Sequence, residues 1–415
     1  MRRALPRGRR PVTDAQYPKK MKTPRPVLSL AVLLSLASPS HASERVTVTV
    51  TQPLNIARPG EVISVPWKEI ALRLPGARPE KLLIRDGSGA SQPYQFTNFH
   101  PDNRKGLYDD VLFQHDFAPG EKRAVFTIES LPLPALPFPA RVFARYVPER
   151  YDDFAWENDH IAHRIYGQAL DSPAAGGSRL TSSGIDVWAK RVRYPIVDRW
   201  YIRGHDNYHK DNGEGFDFYS VGTGRGCGGS GIWDGRALHT SHNWSTWRVY
   251  ANGPLRAIFE LTYAPWDAGN GVSVSEVKRF TVDAGRNLDE MESTFTFSGP
   301  AELTVAFGLG KHPRARMSFT SEPGAGWASE WEEYPEPAAS GLGTGIVFPA
   351  GTLSGMAEDD LNHLALVKVR SGQTVRYYTG AGWVRSGDFA GEADWRAYLA
   401  AFSARLSAPL SVAVN

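Results

Sequence analysis

The sequence lacks the cysteines that a disulfide framework needs. Cys227 is the single cysteine among 415 residues, which excludes an internal disulfide and the class of small secreted scaffolds that depend on one. Cys227 lies in a glycine-rich run, so we interpret it as a structural thiol, with a reactive nucleophile as the alternative. One cysteine in an exported protein fits a large bacterial periplasmic domain.

Common catalytic signatures are absent too. The chain has no zincin, P-loop, dinucleotide-binding or serine-hydrolase motif. Its GxGxG sequence at 222–226 follows no strand–helix unit, so we expect no helix amino terminus there to take a phosphate. The activity must therefore be sought in side chains outside these motifs.

The apolar run at the amino terminus is too short to span a membrane. Val27–Leu36 follows Lys22 and Arg25 and precedes the small-x-small sequence Ser40-His41-Ala42, which is the pattern of a signal peptide. A buried hydrophobic helix is the alternative. We expect residues 1–42 to be a leader whose true start is Met21, and the mature protein to be periplasmic or secreted.

The chain without its leader also has no excess of positive charge. The whole chain has a formal net charge of +3, but residues 1–42 hold nine basic residues and one acidic residue, so the remainder carries −5. Nothing in it indicates a nucleic-acid partner. We expect no membrane contact after cleavage, and the sequence does not indicate the oligomeric state.

Aromatic residues are plentiful, at 12 Trp, 16 Tyr and 19 Phe. Many must form the core, but exposed aromatic rings also bind sugars through an apolar face and a polar edge. Four tryptophans flank the polar centre described below, and we expect one or two of them to be sugar platforms: Trp188, Trp233, Trp244 and Trp247.

The hydrophobic pattern predicts a mainly β protein with two sandwiches. Residues 43–135 contain short alternating runs separated by Gly and Pro turns, which predicts a small antiparallel sandwich. The proline-rich stretch 132–139 is an extended joint. Long alternating runs over 140–415 predict a large antiparallel sandwich that carries the catalytic site. Leu410–Val414 is expected to continue this second domain.

One helix is clear near Glu392–Ala408, where apolar residues recur at helical spacing and predict a core face. Elsewhere, Ala155–Tyr166 fits a strand that places Arg164 and Tyr166 on one face and His163 on the other.

The polar centre of the chain is Arg203–Trp233, where no hydrophobic period runs and titratable residues are dense. A long irregular segment within a compact domain is often functional. Tyr208, His209 and Lys210 together suit proton transfer and neutralisation of a carboxylate, with a solvated loop as the alternative. Glu214 can be an acid, a metal ligand or an ion-pair partner.

Other candidates lie outside this segment. Arg164 can clamp a carboxylate and Tyr166 can act as an acid if their strand face opens to the cleft; a buried ion pair and a core tyrosine are the alternative. His312 follows a glycine-flanked strand end, where a sandwich rim is expected. No cofactor is expected, although His205, Asp206 and His209 could hold a divalent metal.

Several segments resemble a known family. They are 150–167 (RYDDFAWENDHIAHRIYG), 183–191 (SGIDVWAKR), 208–233 and 252–263 (NGPLRAIFELTY), within a likeness that covers about 45–415. The family is DUF4861-like: exported bacterial proteins found with polysaccharide-degrading enzymes, including an ulvan oligosaccharide dehydratase. The later strands also resemble the galactose-mutarotase type of β-sandwich that several polysaccharide lyases use.

The resemblance implies a dehydratase that acts on an acidic oligosaccharide. Such an enzyme removes the C5 proton and the C4 hydroxyl of a non-reducing-end uronic acid and leaves a 4,5-unsaturated residue. A lyase-type site must neutralise the carboxylate, take the C5 proton and protonate the leaving oxygen. A polysaccharide lyase and a non-catalytic carbohydrate-binding protein are the alternatives.

We therefore expect Arg164 and Lys210 to bind the carboxylate, His209 or His312 to be the base, and Tyr166 or Tyr208 to be the acid. The further substrate-binding candidates are Trp188, Asp206, Glu214 and Trp233.

Overall fold

The first strand shows how the sequence pattern becomes a sheet. Val46, Val48 and Val50 are buried and the threonines between them are half-buried, which confirms the strand predicted from this alternation. The computed structural model describes residues 45–98 and 108–415, so the predicted leader lies outside the described residues. The first elements are β1 (Arg45–Thr51), β2 (Arg58–Pro66), α1 (Trp67–Arg73), β3 (Leu82–Arg85), β4 (Ser91–Gln92), β5 (Tyr94–Thr97), β6 (Asp110–Phe117) and β7 (Arg123–Ser130).

These strands form two sheets around one apolar core. The described strands β1, β7, β3 and β4 are neighbours in one sheet, and β2, β6 and β5 form the other. Val48 and Phe126 of the first sheet pack in the same core as Ile63 and Phe113 of the second. The predicted N-terminal sandwich is thereby confirmed.

After the proline-rich joint come short strands and helices that carry most of the predicted site residues. They are β8 (Phe143–Val147), β9 (Asp153–Glu157), β10 (Ala162–Ile165), α2 (Gln168–Asp171), β11 (Asp186–Lys190), α3 (Val197–Arg203), α4 (His205–Tyr208) and β12 (Gly215–Phe216). The strands form an antiparallel sheet in the order β12-β11-β10-β9-β8. The helices α3 and α4 pack on one face of it through Trp188, Trp200, Tyr201 and Tyr208.

The remaining strands build two larger antiparallel sheets. The elements are β13 (Cys227–Trp233), β14 (Leu238–His239), β15 (Thr246–Ala251), β16 (Arg256–Asp267), β17 (Ser273–Asp283), β18 (Leu288–Phe297), β19 (Leu303–Gly310), β20 (Arg316–Glu322), β21 (Trp327–Glu333), β22 (Leu342–Val347), β23 (Gly355–Glu358), β24 (Asn362–Val369), β25 (Thr374–Trp383), α5 (Glu392–Ser407) and β26 (Ser411–Val414). Short 3-10 helices lie at Pro79–Lys81, Pro173–Ser178 and Val384–Ser386.

Among the described strands, one sheet has the order β14-β13-β19-β24-β23, and an eight-stranded sheet has the order β15-β16-β17-β18-β25-β22-β21-β20. One face of the eight-stranded sheet shares a core with both five-stranded sheets beside it; Phe259, Phe307 and Trp156 come from the three sheets in turn. The fold is mainly β and contains the large antiparallel sandwich that the sequence predicts.

The predicted helix is confirmed as α5. Trp395, Leu399 and Phe402 pack with Trp331 and Tyr378 in a separate core on the other face of the eight-stranded sheet. Among the described residues, no helix combines the length and the hydropathy that crossing a membrane requires.

The last strand corrects one prediction. β26 does not continue the large sandwich but pairs with β1, with Val414 opposite Val48, so the end of the chain completes the N-terminal sheet. Both sandwiches belong to one compact unit, Ser43–Asn415.

The glycine-rich run corrects a second prediction, that of an irregular segment. Cys227–Trp233 is not irregular but forms β13, which pairs with β19 in the interior. A Cβ at Gly229 would lie 2.6 Å from the carbonyl oxygen of Arg225, so close packing requires the glycine that hides the strand pattern. Burial raises the pKa of Cys227 to about 12, as expected of a structural thiol.

Candidate functional site

The centre of the site is the buried guanidinium of Arg164. Its Nε donates to Oδ2 of Asp186 at 2.6 Å, and its Nη2 donates to Oδ2 of Asp217 at 2.9 Å. The Tyr166 hydroxyl also points to Oδ2 of Asp186, at 3.4 Å, while His163 stacks on Trp156. Arg164 and His163 lie on opposite faces, as predicted, but Ala155–Tyr166 is not one strand: β9 and β10 pair as an antiparallel hairpin, and Tyr166 follows β10.

Arg164 makes a third hydrogen bond, from Nη1 to the hydroxyl oxygen of Tyr208 at 3.2 Å. Its Cζ lies 5.3 Å from the ring centroid of Trp188 and 5.4 Å from those of Tyr166 and Tyr208. Each of the three guanidinium nitrogens of Arg164 thus donates a hydrogen bond within the protein, and only 4% of the residue is exposed. Arg164 therefore has the buried ion pair that was the alternative interpretation, and it positions Tyr208 rather than clamping a substrate.

Negative charge is in excess around this guanidinium. Three buried carboxyl groups, from Asp153, Asp186 and Asp217, surround Arg164, and one further arginine, Arg150, approaches Asp153 at 3.6 Å. Burial raises the pKa of Asp153 to about 6, even though both arginines oppose that shift. Burial and then the charge of Asp186 raise the pKa of Asp217 well above its usual value. A proton is therefore readily held in this cluster.

A cavity of about 390 Å³ opens directly above the cluster. Tyr208 and Tyr201 form its inner wall, and Arg150 lies beside them. The other lining residues come from the β8–β9 turn, the 3-10 helix and the α3–α4 junction: Glu149, Tyr151, Ser178, Gly204 and His205. Arginine, tyrosine and histidine converge here, as at many sites of acid–base chemistry.

Arg150 is a site residue that the sequence reasoning missed. Its Nη1 is buried and has no hydrogen-bond partner in the described part of the chain. The Tyr208 hydroxyl also lies near its guanidinium. Because Arg150 lines the cavity and a guanidinium matches the geometry of a carboxylate, its place in the wall suits an anionic ligand.

His209 has the geometry of a general base. Its Nδ1 lies 2.8 Å from the carbonyl oxygen of Asp217, which can only accept, so Nδ1 carries the proton and Nε2 of the neutral ring keeps its lone pair. Burial lowers the pKa of His209, although the bond to Asp217 opposes this. The ring lies 4.8 Å from that of Tyr208 and 4.5 Å from that of His205, both cavity residues.

Packing of α3 and α4 sets the position of these residues. Trp200 and Tyr201 of α3 lie 5.3 and 4.9 Å from the ring of Trp188 on β11, and Tyr208 of α4 lies 5.0 Å from it. The Tyr201 hydroxyl donates to Oδ2 of Asp153 at 3.1 Å. Trp188 is fully buried, so it supports the site and does not offer a face to a substrate.

The turn between β8 and β9 holds a strained backbone at the rim of the cavity. Tyr151 and Asp152 have φ values of 47° and 63°, a region that non-glycine residues seldom adopt. Gly167 packs so tightly on this turn that a Cβ there would lie 1.7 Å from the Asp152 carbonyl oxygen. The turn presents Tyr151, which is 39% exposed, to the cavity.

His312 lies in a different cavity, of about 320 Å³, with Tyr334 and Lys311. Its Nδ1 donates to Oε1 of Glu332 at 2.7 Å, and its Nε2 donates to the Ser220 carbonyl oxygen at 2.7 Å. Burial lowers the pKa of His312, but the bond to Glu332 and its charge outweigh this and raise it. With Nε2 bonded to a carbonyl oxygen and Nδ1 to a carboxylate, His312 has no nitrogen free to take a proton from a substrate.

The other predicted residues are not brought to the cavity. Glu214 is buried and accepts hydrogen bonds from Arg199, Arg203 and Trp200, so it anchors α3. Asp206 lies in α4 and Lys210 follows this helix, and both are exposed. Trp233 ends β13, where it pairs with Leu238.

A metal site does not form from the predicted ligands. Asp206 contacts His205 at 3.5 Å, and the ring of His209 lies 4.5 Å from that of His205. Over residues 45–98 and 108–415, no group of three or more His, Cys, Asp or Glu side chains is arranged to hold a metal ion.

Comparison with known proteins identifies relatives of undefined activity. Residues 50–412 match the family model described as Domain of unknown function (DUF4861). Uncharacterized protein P7 of Formosa agariphila is 32% identical over 400 residues, which cover 94% of this chain and 98% of that protein.

Solved structures show more distant similarity. An alpha-mannosidase from Enterococcus faecalis V583 aligns with a TM-score of 0.46 and 11% identity, over 90% of this chain and 46% of its own. A glycosyl hydrolase family 38 protein from Enterococcus faecalis has the same TM-score and identity, with 47% of its chain covered. This chain spans less than half of either protein, and similarity at this level carries no inference about activity.

Proposed function

The chain belongs to the DUF4861 family, and we propose that it is a carbon–oxygen lyase acting on acidic oligosaccharides. The reaction is a dehydration of the uronic acid at the non-reducing end, for example in an ulvan fragment. It leaves a 4,5-unsaturated uronic residue. The mature enzyme would act in the periplasm or the surrounding medium.

One observation carries this proposal: an acid and a cation line one cavity, and a base lies beside its wall. Tyr208 offers a hydroxyl and Arg150 a guanidinium to the cavity, and His209, whose ring lies 4.8 Å from that of Tyr208, keeps the lone pair of Nε2. Elimination next to a carboxylate needs these three functions.

Each group then has a role in a balanced step. Arg150 binds the substrate carboxylate and neutralises the charge that develops when C5 loses its proton. His209 takes the C5 proton, the electron pair forms the C4–C5 double bond, and the C4–O bond breaks. Tyr208 gives its proton to the departing hydroxyl, which leaves as water. The proton on His209 then returns to Tyr208 through solvent, and the site is restored.

The test is to incubate the mature protein with saturated uronic-acid-terminated oligosaccharides and to follow ultraviolet absorbance and product mass. A rise in absorbance with loss of one water per chain end supports the dehydratase. A rise with shortened chains would assign a polysaccharide lyase that uses the same three groups. Binding without any product would instead assign a non-catalytic carbohydrate-binding protein.

A further inference from the structure

A second cavity, of about 330 Å³, lies on the other side of the strained β8–β9 turn. Tyr151 of this turn lines the catalytic cavity and the next residue, Asp152, lines the second one. The two cavities are therefore separated by adjacent residues of one turn, and a single extended ligand can reach both.

The second cavity is built on a stacked aromatic pair, of which Trp247 is exposed and Tyr146 is half-buried. Trp247 is 44% exposed, although it is a tryptophan in a strand. Its ring stacks on that of Tyr146 with centroids 5.4 Å apart and planes 22° apart. The Tyr146 hydroxyl is held by the carboxylate of Asp152, so the platform has a fixed orientation. An exposed and rigid indole suits the apolar face of a pyranose ring.

Polar groups surround this platform. Gln168, Ser245 and Thr246 line the cavity together with Trp244. The indole Nε1 of Trp244 is buried and has no hydrogen-bond acceptor in the described part of the chain. An aromatic floor with amide and hydroxyl groups at its edge is the composition expected of a saccharide site.

We propose that Trp247 and Tyr146 form a subsite for a second sugar residue of the same oligosaccharide, next to the one bound at Arg150. This inference rests on the proposed function and deepens it, because it makes the substrate an oligosaccharide rather than a free uronic acid. The occupant is a neutral pyranose face, since the platform itself carries no cation.

The experiment measures binding by calorimetry, a readout that is distinct from product formation. Saturated uronic-acid monosaccharides, disaccharides and tetrasaccharides are titrated into the wild-type protein and into Trp247→Ala. We expect the variant to bind the tetrasaccharide roughly 5- to 20-fold more weakly, as loss of one stacking contact would cause, and to bind the monosaccharide as the wild type does. Trp247→Phe, which keeps an aromatic ring, should restore most of the affinity.

Tyr108→Ala is the matched control, since Tyr108 is 39% exposed but lies in the N-terminal sandwich. Thermal unfolding of each variant checks that Tyr146 and its neighbours remain packed. Equal affinity of wild type and Trp247→Ala for every chain length would overturn the subsite. Failure of the proposed function is distinct: the length-dependent loss of binding would persist without any unsaturated product.

Discussion

The hydroxyl oxygen of Tyr208 accepts a hydrogen bond from Nη1 of Arg164 at 3.2 Å. Because that bond uses the oxygen as an acceptor, the O–H hydrogen of Tyr208 remains available to a leaving group in the cavity. Tyr166, the other tyrosine beside Arg164, does not line the cavity and points to Asp186 instead. The structure thus distinguishes the two tyrosines that the sequence leaves equivalent.

This distinction gives a paired prediction. Tyr208→Phe removes the proton donor and should lower kcat by about 10²- to 10⁴-fold with little change in KM. Tyr166→Phe should keep most of the activity, because Tyr166 does not line the cavity and its hydroxyl points to Asp186. Steady-state kinetics of both variants test this prediction. A larger loss of kcat in Tyr166→Phe than in Tyr208→Phe would make Tyr166 the acid.

His209 is predicted to be essential. His209→Ala should lower kcat/KM by about 10²- to 10⁴-fold without unfolding the protein, because it removes the base and one hydrogen bond to Asp217. The control is His242→Ala, whose side chain is 71% exposed and bonds to Asp171 away from the cavity. An active and folded His209→Ala protein would refute the base assignment.

The pH dependence follows from the same residue. Burial lowers the pKa of His209 below its ordinary value of 6.5, so the neutral, basic form persists at neutral pH. We expect kcat/KM to fall on the acid side only below pH 6.5, as the imidazole gains its proton. A pH–rate profile measures this, and an acid limb above pH 6.5 would contradict it.

Arg150 is predicted to bind the substrate carboxylate. Arg150→Ala should raise KM by about 10- to 100-fold, the loss expected for a charge-assisted hydrogen bond. Arg150→Lys should be intermediate, because lysine keeps the charge but loses the fork. An analogue whose carboxyl group is reduced to an alcohol should bind the wild type and Arg150→Ala equally. Unequal binding of that analogue would mean that Arg150 affects binding by stabilising the structure of the site and not by contacting the carboxylate.

Asp153 should make the free energy of unfolding depend on pH. Its pKa is about 6 in the folded chain against an ordinary 3.8, so the folded state holds an extra proton between these values. The stabilisation is complete below about pH 4 and is lost as pH rises through 6, a change of about 3 kcal/mol. Asp153→Asn should flatten this part of the unfolding curve. Parallel curves for variant and wild type would contradict the raised pKa.

The sequence predicts an element of the fold correctly where the apolar residues of that element recur at the spacing of a strand or a helix. The alternation at Val46–Val50 predicts β1, and the spacing of Trp395, Leu399 and Phe402 predicts α5. In β13, close packing requires glycines where a strand would otherwise carry alternating side chains. The hydrophobic alternation is therefore absent, and the sequence does not predict this strand. The pairing of β26 with β1 was missed because it joins chain segments that no local signal links.

The site was predictable in part for the same reason. Arg164 and Tyr166 share a strand face, and Tyr208 and His209 are adjacent, so the sequence brings each pair together. Arg150 comes from a turn before β9, and its place in the cavity wall becomes visible only once Asp153 and Tyr208 are in position around it. The density of aromatic and charged residues at 150–167 was the available signal. The occupied donors of Arg164 were not predictable from spacing.

The most direct test of the central claim uses an oligosaccharide that carries deuterium at C5 of its terminal saturated uronic acid. Elimination at C5 gives a product that has lost one oxygen, one hydrogen and the deuterium, and the labelled substrate reacts more slowly than the unlabelled one. Mass spectrometry of the product shows whether the deuterium has been lost. A product that retains the deuterium, or a substrate that is bound and returned unchanged, would contradict elimination at C5.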